Sequence, residues 1–412
     1  MVLLTAAGLC AAVGQPGGAQ EQLARLDVLK EAWNVARTIP SLSQRATALA
    51  DVGLALQPVE PDQAVQALNE AAFAAANVPA QVDQALTLQA VARRIEKVDP
   101  KRANSLYQTA VTSAEKCPFP AQRSLIYTEV ALSRAATAKE AAAALIQKAA
   151  EQARAVPELS ARVGALRDVS KAYEQFDRPI AAQLFDEAVN AARQAPPGAE
   201  RDLALAELAG FAASRSVQQA MDIASGIADA AAKSEALGDM VRAIAAKEPV
   251  QALELALSIP DVPTRVAALA DLSFAAGPQM PDVANSAAEE ATKAADSIPA
   301  DDAGNEARAE AAAAWAPIDV TRALATARKI ADAYFVDVAL SRIALFLVGS
   351  DLDRALSVTQ EIEREVLQSE ALCTVVPRLA ERDPQRAHEL ALKIRARSRR
   401  VEALLAIAAN LK

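Results

Sequence analysis

Two columns of residues recur in phase along almost the whole chain, and this regularity constrains the fold more than any other feature. The first column is alanine at 64, 103, 142, 181, 220, 252, 284, 323, 355 and 387. The second, the marker column, precedes each alanine by 19 residues and occupies 45, 84, 123, 162, 201, 233, 265, 304, 336 and 368, with 400 at the end. Successive alanines stand 39 or 32 residues apart. The columns therefore predict a repeat protein of about eleven units.

The seven-residue difference between units indicates helices. Two α-helical turns take about 7.2 residues, so the loss of seven leaves the same face directed at the core. Each unit is thus predicted to have a helix of fixed length after the marker and a helix of variable length that carries the alanine. An acid followed by proline is a typical helix start, because the acid caps the helix and proline fits its first turn. Four such pairs open variable helices: Glu60-Pro61, Asp99-Pro100, Glu248-Pro249 and Asp383-Pro384.

Apolar columns within the fixed helices predict which face is buried. Four residues after the marker stand leucines such as Leu49, Leu88 and Leu166, and seven after it stand Val52, Val91 and their equivalents. One hairpin cannot bury such a stripe alone, so neighbouring hairpins must stack. The prediction is an all-α protein, an α–α superhelix (solenoid) of about eleven helical hairpins with 39- and 32-residue units stacked in one row.

The predicted solenoid is a single domain over residues 20–412. Long units lie mostly before about residue 205 and short units mostly after it. One unit, near residues 300–312, is irregular, because Arg308 stands where the other units have an apolar residue. We expect a longer turn there and a fixed helix shifted in register, which would make a flexure point in the row.

Paired antiparallel helices in units of this size resemble the α-solenoid superfamily that contains tetratricopeptide and HEAT repeats. Alanine at a close-packing column is similar to tetratricopeptide units, and the Asp-Pro and Arg features are similar to HEAT-like ones. The 34-residue period and the Trp–Gly–Tyr pattern of tetratricopeptide units are absent. The resemblance implies a binding scaffold, and it assigns no functional residue.

Residues 1–19 differ in composition from the repeats. An apolar stretch from Met1 to Val13 precedes small residues at Gly17 and Ala19, a pattern typical of a secretory signal cleaved before Gln20. No positive charge precedes the apolar stretch, so an uncleaved N-terminal segment is the alternative. The first reading predicts an exported protein, periplasmic or extracellular, and the second a cytoplasmic one. No other stretch is long and apolar enough to span a membrane.

The chain offers few residues for catalysis or metal binding. His388 is its single histidine, so triads that need a histidine and two-histidine metal sites are excluded. Cys117 shares a column with Ile39 and Val78 and is predicted to be a small core residue, while Cys373 is too distant along the row for a disulfide. No glycine-rich phosphate loop or paired-cysteine motif occurs. We therefore expect no catalytic residue, no metal and no cofactor.

One polar regularity stands out. The marker column is mostly basic, and an acidic column follows it by six residues, at Asp51, Glu129, Asp168, Glu207, Asp239, Asp271 and Glu310. One hypothesis is an ion-pair ladder between stacked units, and the other is a charged ridge that contacts a partner. The candidate partner-binding residues are Arg45, Arg123, Arg162, Arg201 and Arg265. After Glu310 the acidic column holds Arg342, Thr374 and Ala406, so the last three units are expected to present a different, locally basic surface.

Together these features favour a non-catalytic scaffold that binds a protein or peptide along an extended concave surface. A structural, envelope-associated assembly component and an accessory subunit of an enzyme complex are the alternatives. The net charge of −9 argues against a nucleic-acid partner, because phosphate contacts need a basic surface.

Overall fold

The computed structural model describes residues 24–411, which contain 22 α-helices, one short 3-10 turn and no strand. The predicted signal segment, residues 1–19, lies outside the described residues. The odd-numbered helices are α1 (Arg25–Arg37), α3 (Pro61–Ala76), α5 (Pro100–Lys116), α7 (Lys139–Arg154), α9 (Arg178–Gln194), α11 (Val217–Ala224), α13 (Pro249–Leu257), α15 (Pro281–Asp296), α17 (Val320–Ala327), α19 (Leu352–Glu361) and α21 (Pro384–Ala391). The even-numbered helices are α2 (Leu42–Leu56), α4 (Gln81–Ile95), α6 (Pro120–Arg134), α8 (Leu159–Tyr173), α10 (Ala199–Ala213), α12 (Ala230–Ile244), α14 (Val262–Ala276), α16 (Asp302–Ala314), α18 (Ala333–Leu347), α20 (Glu365–Ala380) and α22 (Arg397–Ala409).

The prediction of an all-α solenoid of helical hairpins is confirmed. The four acid–proline pairs begin α3, α5, α13 and α21, each with proline at its first residue. The length variation falls on the odd-numbered helices, which have 16 or 17 residues in α3, α5, α7, α9 and α15 and 8 to 10 in α11, α13, α17, α19 and α21. Short units have therefore lost about two turns of the variable helix.

The alanine column is buried throughout, as the sequence predicts. All ten members are at most 2% exposed. Alanine at this position lets the variable helix lie close to the fixed helix before it, because no side chain beyond Cβ separates the two backbones. Glycine does the same at one joint between fixed helices. A Cβ added at Gly210 would lie 2.9 Å from the Cβ of Asp239, so only glycine permits this approach of α10 to α12.

The row of hairpins closes on itself. Helix α22 packs against α1 as each fixed helix packs against the variable helix that follows it, and α22 also contacts α2 as neighbouring fixed helices do. Arg397 Nη1 donates to the carbonyl of Thr38 at 2.6 Å across this joint, which we name the seam. The expectation of an extended row is thus wrong in one respect. A turn of about 33° per hairpin brings eleven hairpins back to their starting point, so the two ends meet and form a ring.

The fixed helices form the inner layer of this ring. Each even-numbered helix contacts the next one around the whole circle, whereas the odd-numbered helices touch each other little. The ring has as many even-numbered as odd-numbered helices, so the layer whose helices lie closer together must have the smaller radius. Eleven helices with axes about 9 Å apart make a circle about 30 Å across, which leaves an opening on the order of 20 Å. The inner wall, meaning the opening-facing side of the even-numbered helices, is partly or fully exposed at ten of these helices, whereas residues 309–316, in and just after α16, are buried.

The irregular unit keeps the common architecture, because Arg308 makes the carbonyl contact that the marker arginine makes in other units. A Cβ at Gly304 would lie 1.8 Å from the carbonyl oxygen of Pro299, so glycine is required at this marker. Arg308 Nη2, one turn later, donates to the carbonyl of Ile298 at 2.7 Å. The predicted irregularity is real, and the flexure expected there stays a prediction. No helix within residues 24–411 has the length and hydropathy needed to cross a membrane.

Candidate functional site

The inner wall is built from positions two, six and nine or ten residues after each marker. These spacings lie on one face of a helix, opposite the face that packs on the variable helices. Leu125, Asp168 and Arg242 are exposed examples of the three positions. The wall therefore repeats these three positions around the ring, from the N-terminal rim of the fixed helices to their C-terminal rim, except that α16 exposes only the first of them, at Glu306.

Carboxylates run along this wall almost without a break. The acidic column lies on it as a band at mid-height from Asp51 to Asp271, with Ala90 of α4 as a gap, and it ends at the buried Glu310. In the last units the band continues one turn closer to the N-terminal rim, because Glu370 and Glu402 are exposed two residues after their markers. The expectation of a different surface over the last three units is thus wrong for two of them. The sequence prediction considered only the column six residues after the marker. Positions two and six residues after it lie on the same helix face, so an acid at either one belongs to the wall.

The basic residues of the last units are largely engaged in the fold. Arg395 pairs with Glu365, and Arg399 pairs with Glu402 at 2.8 Å. Arg397 donates across the seam to Thr38. The two ion pairs offset part of the basic charge that the sequence predicts here, and the third contact holds its guanidinium against a carbonyl.

Arginines on the inner wall link the carboxylates of neighbouring fixed helices. Three pairs connect adjacent units in this way: Arg94–Asp51 at 2.8 Å, Arg167–Glu207 at 2.7 Å and Arg242–Asp271 at 3.5 Å. Arg342 pairs with Glu310 in the same manner. The acidic column thus does form ion pairs between stacked units, as the ladder hypothesis required of it.

The basic partners in the ladder hypothesis were wrong. Within the described part of the chain, no marker residue forms a salt bridge. Marker arginines instead donate to the carbonyl six residues earlier, at the end of the preceding variable helix. The pairs are Arg45 Nε to Ile39 at 2.7 Å, Arg123 Nη1 to Cys117 at 2.8 Å, Arg265 Nη1 to Ile259 at 3.1 Å and Arg400 Nε to Ile394 at 2.9 Å. A guanidinium here satisfies carbonyls that the helix end leaves unpaired.

The five candidate partner-binding arginines are therefore placed beside the tight turns. Arg45, Arg123 and Arg265 act as helix caps, while Arg162 and Arg201 are half-buried at the same position. The structure brings none of the five together in a cluster, since each belongs to its own hairpin. Their contact with a partner stays a prediction.

Burial raises the pKa of two carboxylates of the acidic column. Burial raises the pKa of Glu310 to about 7, against the opposing charge of Arg342. Asp271 and Glu306 add negative charge nearby and act in the same direction as burial. Burial also raises the pKa of Asp51, although Arg94 beside it favours the charged form.

A groove interrupts the wall between α6 and α8. Its volume is about 490 Å³, and its lining includes Leu125, Leu132, Glu129, Gly164 and Asp168. Lys171 lies at its end nearer the C-terminal rim. Most of the lining surface is apolar, so the groove combines a hydrophobic floor with charged edges.

The residues considered for chemistry have structural surroundings. Cys117 is buried, and its thiol lies 3.0 Å from Gln122 Oε1. Cys117 and Cys373 are both free thiols. His388 lies at the seam, where its Nε2 is 2.7 Å from Glu31 Oε2. Over the described range, no group of three or more His, Cys, Asp or Glu side chains has the geometry of a metal site.

A further set of polar residues was missed by the sequence analysis. Buried Asp202 Oδ2 accepts from the backbone N–H groups of Ala228 and Asp229, at 3.1 and 2.7 Å. Buried Asp337 likewise accepts from the N–H groups of Glu363 and Arg364 in a later unit. Both stand one residue after a marker, a column that is apolar or small in most units. An acid in this mostly apolar or small column was the available signal. It indicates a side chain that accepts hydrogen bonds from the backbone of the next tight turn, as these two do in short units.

Comparisons with known proteins identify no family. No protein-family model matches the chain, and no curated protein matches it in sequence. Ton1535 from Thermococcus onnurineus NA1, known from a crystal structure, is similar over 86% of this chain and 99% of its own, at 18% identity and a TM-score of 0.36. A circular tandem repeat protein with novel repeat topology and enhanced subunit contact surfaces is similar over 94% and 95%, at 12% identity and a TM-score of 0.18. Both scores are below 0.5, so the ring rests on contacts within this chain.

Proposed function

We propose that the protein is a non-catalytic scaffold that binds a protein or peptide segment on the inner wall of its ring. The observation that carries this proposal is the exposed inner wall of ten of the eleven fixed helices, on which apolar and charged positions recur. Such a surface suits a partner held by many weak contacts across several hairpins. The outer helices, by contrast, differ in length from unit to unit and form no continuous wall.

The inner wall has charges free to meet a partner. Glu235 and Glu370 are exposed on α12 and α20, and neither lies within salt-bridge distance of a cation in the described residues. Lys171 on α8 is likewise exposed without such a pair. Exposed unpaired charges lose little by staying in water, so their value lies in steering and orienting a complementary partner.

Affinity capture followed by mass spectrometry tests the proposal. The bait is the full chain, and the test variant reverses two inner-wall charges, Glu235→Lys and Glu370→Lys. A matched control reverses the exposed acids Glu254 and Glu289 on the outer helices α13 and α15. A partner held in the ring is captured by the wild type and the outer variant and lost from the inner variant. Equal capture by all three proteins contradicts an inner-wall function.

Two other functions make different predictions for the same protein. A structural component that assembles with itself gives a mass that rises with concentration in sedimentation, without any partner. An accessory subunit of an enzyme complex co-purifies with a fixed catalytic chain in constant ratio. We propose further that the protein is exported, on the evidence of residues 1–19 alone, and the intact mass of the protein from its native source tests this.

A further inference from the structure

The groove between α6 and α8 is formed by a missing side chain. Two residues after the marker, α6 carries Leu125 and α10 carries Leu203, which are 39% and 50% exposed. Helix α8, which lies between them, has Gly164 at this position. A Cβ added there would meet nothing closer than Glu207 Oε2 at 4.0 Å, so no packing demand explains glycine here. The wall therefore has an open notch between two exposed leucines.

The edges of the notch are predominantly anionic. Glu129 lines the groove and lies within salt-bridge distance of no cation in the described chain. Asp168 lines the opposite edge, and its carboxylate shares the single guanidinium of Arg167 with Glu207 of the next helix. Two carboxylates that share one arginine leave a net negative charge, which the unpaired Glu129 increases.

We propose that this groove anchors a partner segment in which a leucine- or phenylalanine-sized side chain stands next to a lysine or arginine. The apolar side chain fills the notch over Gly164, against Leu125 and Leu132. The basic side chain reaches the carboxylate of Glu129. This inference rests on the proposed scaffold function and specifies the chemistry of the partner.

Charge complementarity favours a cationic segment over the alternatives. A purely apolar segment would bury Glu129 without a counter-charge, which is costly for a carboxylate. An acidic segment would add like charges beside Glu129 and Asp168. Lys171 lies about one turn beyond Asp168 on α8, so it meets a residue of the partner beyond the basic one.

The test uses a fluorescein-labelled amphipathic peptide of leucine and lysine, with a leucine–glutamate peptide as its counterpart. Binding to the full chain is followed by fluorescence anisotropy. Gly164→Leu fills the notch, and Glu129→Lys reverses the unpaired charge. The controls are Ala144→Leu and Glu151→Lys, which place the same two residue types at exposed positions of the outer helix α7. Melting temperatures of all four variants establish that each is folded.

We expect the leucine–lysine peptide to bind the wild type and both controls, and to bind each groove variant at least about tenfold more weakly. The leucine–glutamate peptide should bind weakly throughout. Equal affinity of wild type and groove variants overturns the inference, and so does tighter binding of the leucine–glutamate peptide or absence of binding by both peptides. These failures concern the groove alone, because the capture experiment uses Glu235 and Glu370, on other helices, to test the scaffold function.

Discussion

His388 Nε2 lies 2.7 Å from Glu31 Oε2, a contact that joins residues 357 positions apart across the seam. Glu31 stands 14 residues before its marker, in the same column as Glu70 and Glu187. Those two acids each accept from an arginine of the preceding unit: Arg37 Nη2 bonds Glu70, and Arg154 Nε bonds Glu187 at 2.8 Å. At the seam the arginine position holds exposed Leu392, and His388 replaces it from one turn earlier. The seam therefore pairs its glutamate with histidine, where these two joints between outer helices use arginine.

An arginine introduced at this joint should strengthen the seam. Leu392→Arg places a guanidinium opposite Glu31, at the position that Arg37 and Arg154 occupy in their units, and we expect a gain of about 0–1 kcal/mol in local stability. His388→Ala removes the existing contact and should have the opposite effect. Hydrogen exchange measured by mass spectrometry tests both variants locally. Amide exchange in α1 and α22 should be slower in Leu392→Arg and faster in His388→Ala than in the wild type, with α8 as internal reference. Unchanged exchange in α1 contradicts the seam contact.

Closure of the ring predicts tolerance to circular permutation. A variant that joins residue 411 to residue 24 by a short flexible linker, with new ends at Gly198, keeps every hairpin joint. Gly198 lies in an exposed turn between α9 and α10. We expect a folded monomer whose melting temperature is within a few degrees of the wild type, since permutation succeeds where chain ends are close and the cut is exposed. A permutant that is unfolded or forms only larger assemblies contradicts closure.

The alanine column should resist larger residues. Ala181 is 2% exposed between α9 and its neighbours, and Ala181→Leu should cost roughly 1–3 kcal/mol by overpacking. The adjacent Ala182 is exposed on the same helix, so Ala182→Leu adds the same atoms without a packing penalty. Urea unfolding of both variants measures the difference. Equal stability of the two variants contradicts the close approach of the helices at this column.

The buried carboxylate of Asp202 should matter more than an exposed acid. Asp202→Ala leaves the N–H groups of Ala228 and Asp229 without their acceptor, at a cost of about 1–3 kcal/mol. Asp222→Ala, by comparison, removes an exposed ion pair with Arg193 and should cost less than about 1 kcal/mol. Chemical denaturation compares the two. The reverse order would mean that the turn of the next unit finds other support.

Glu310 should make the stability depend on pH. Its pKa is raised to about 7 in the folded protein, above the value in the unfolded chain. Between those two values the folded chain holds a proton that the unfolded chain has lost, so stability falls as pH rises through this window. Glu310→Gln should flatten that decline. Thermal unfolding of both proteins from pH 4.5 to 7.5 measures it, and parallel curves would show that Glu310 does not titrate in this range.

Local features of the fold were predictable from the sequence, whereas the closure of the ring was not. Columns such as Ala181 and starts such as Pro249 follow from spacing and capping, which act within one hairpin. Closure depends on a small rotation per unit summed over eleven units, and no single residue encodes it. His388 gave no signal for the same reason, because its partner lies at the other end of the chain.

The inner wall was predicted in part. The acidic column is on it, but the marker arginines were assigned to the wrong partners. A guanidinium can donate to the backbone carbonyl six residues earlier as readily as it can pair with a carboxylate. The groove depends on Gly164, and in a sequence a glycine at an exposed helix position looks like any small residue. Its meaning comes from the leucines on the helices to either side.

Hairpins of two sizes divide the ring into unequal arcs. The long variable helices of α3, α5, α7 and α9 follow one another on one side, while most short ones lie on the other. A ring of eleven identical units would bind a ligand equally well in eleven orientations. This rotational degeneracy would divide the bound molecules among the eleven orientations. The uneven arcs and the singular notch at Gly164 remove that degeneracy. A partner bound as proposed would therefore have one preferred rotational orientation about the axis of the ring.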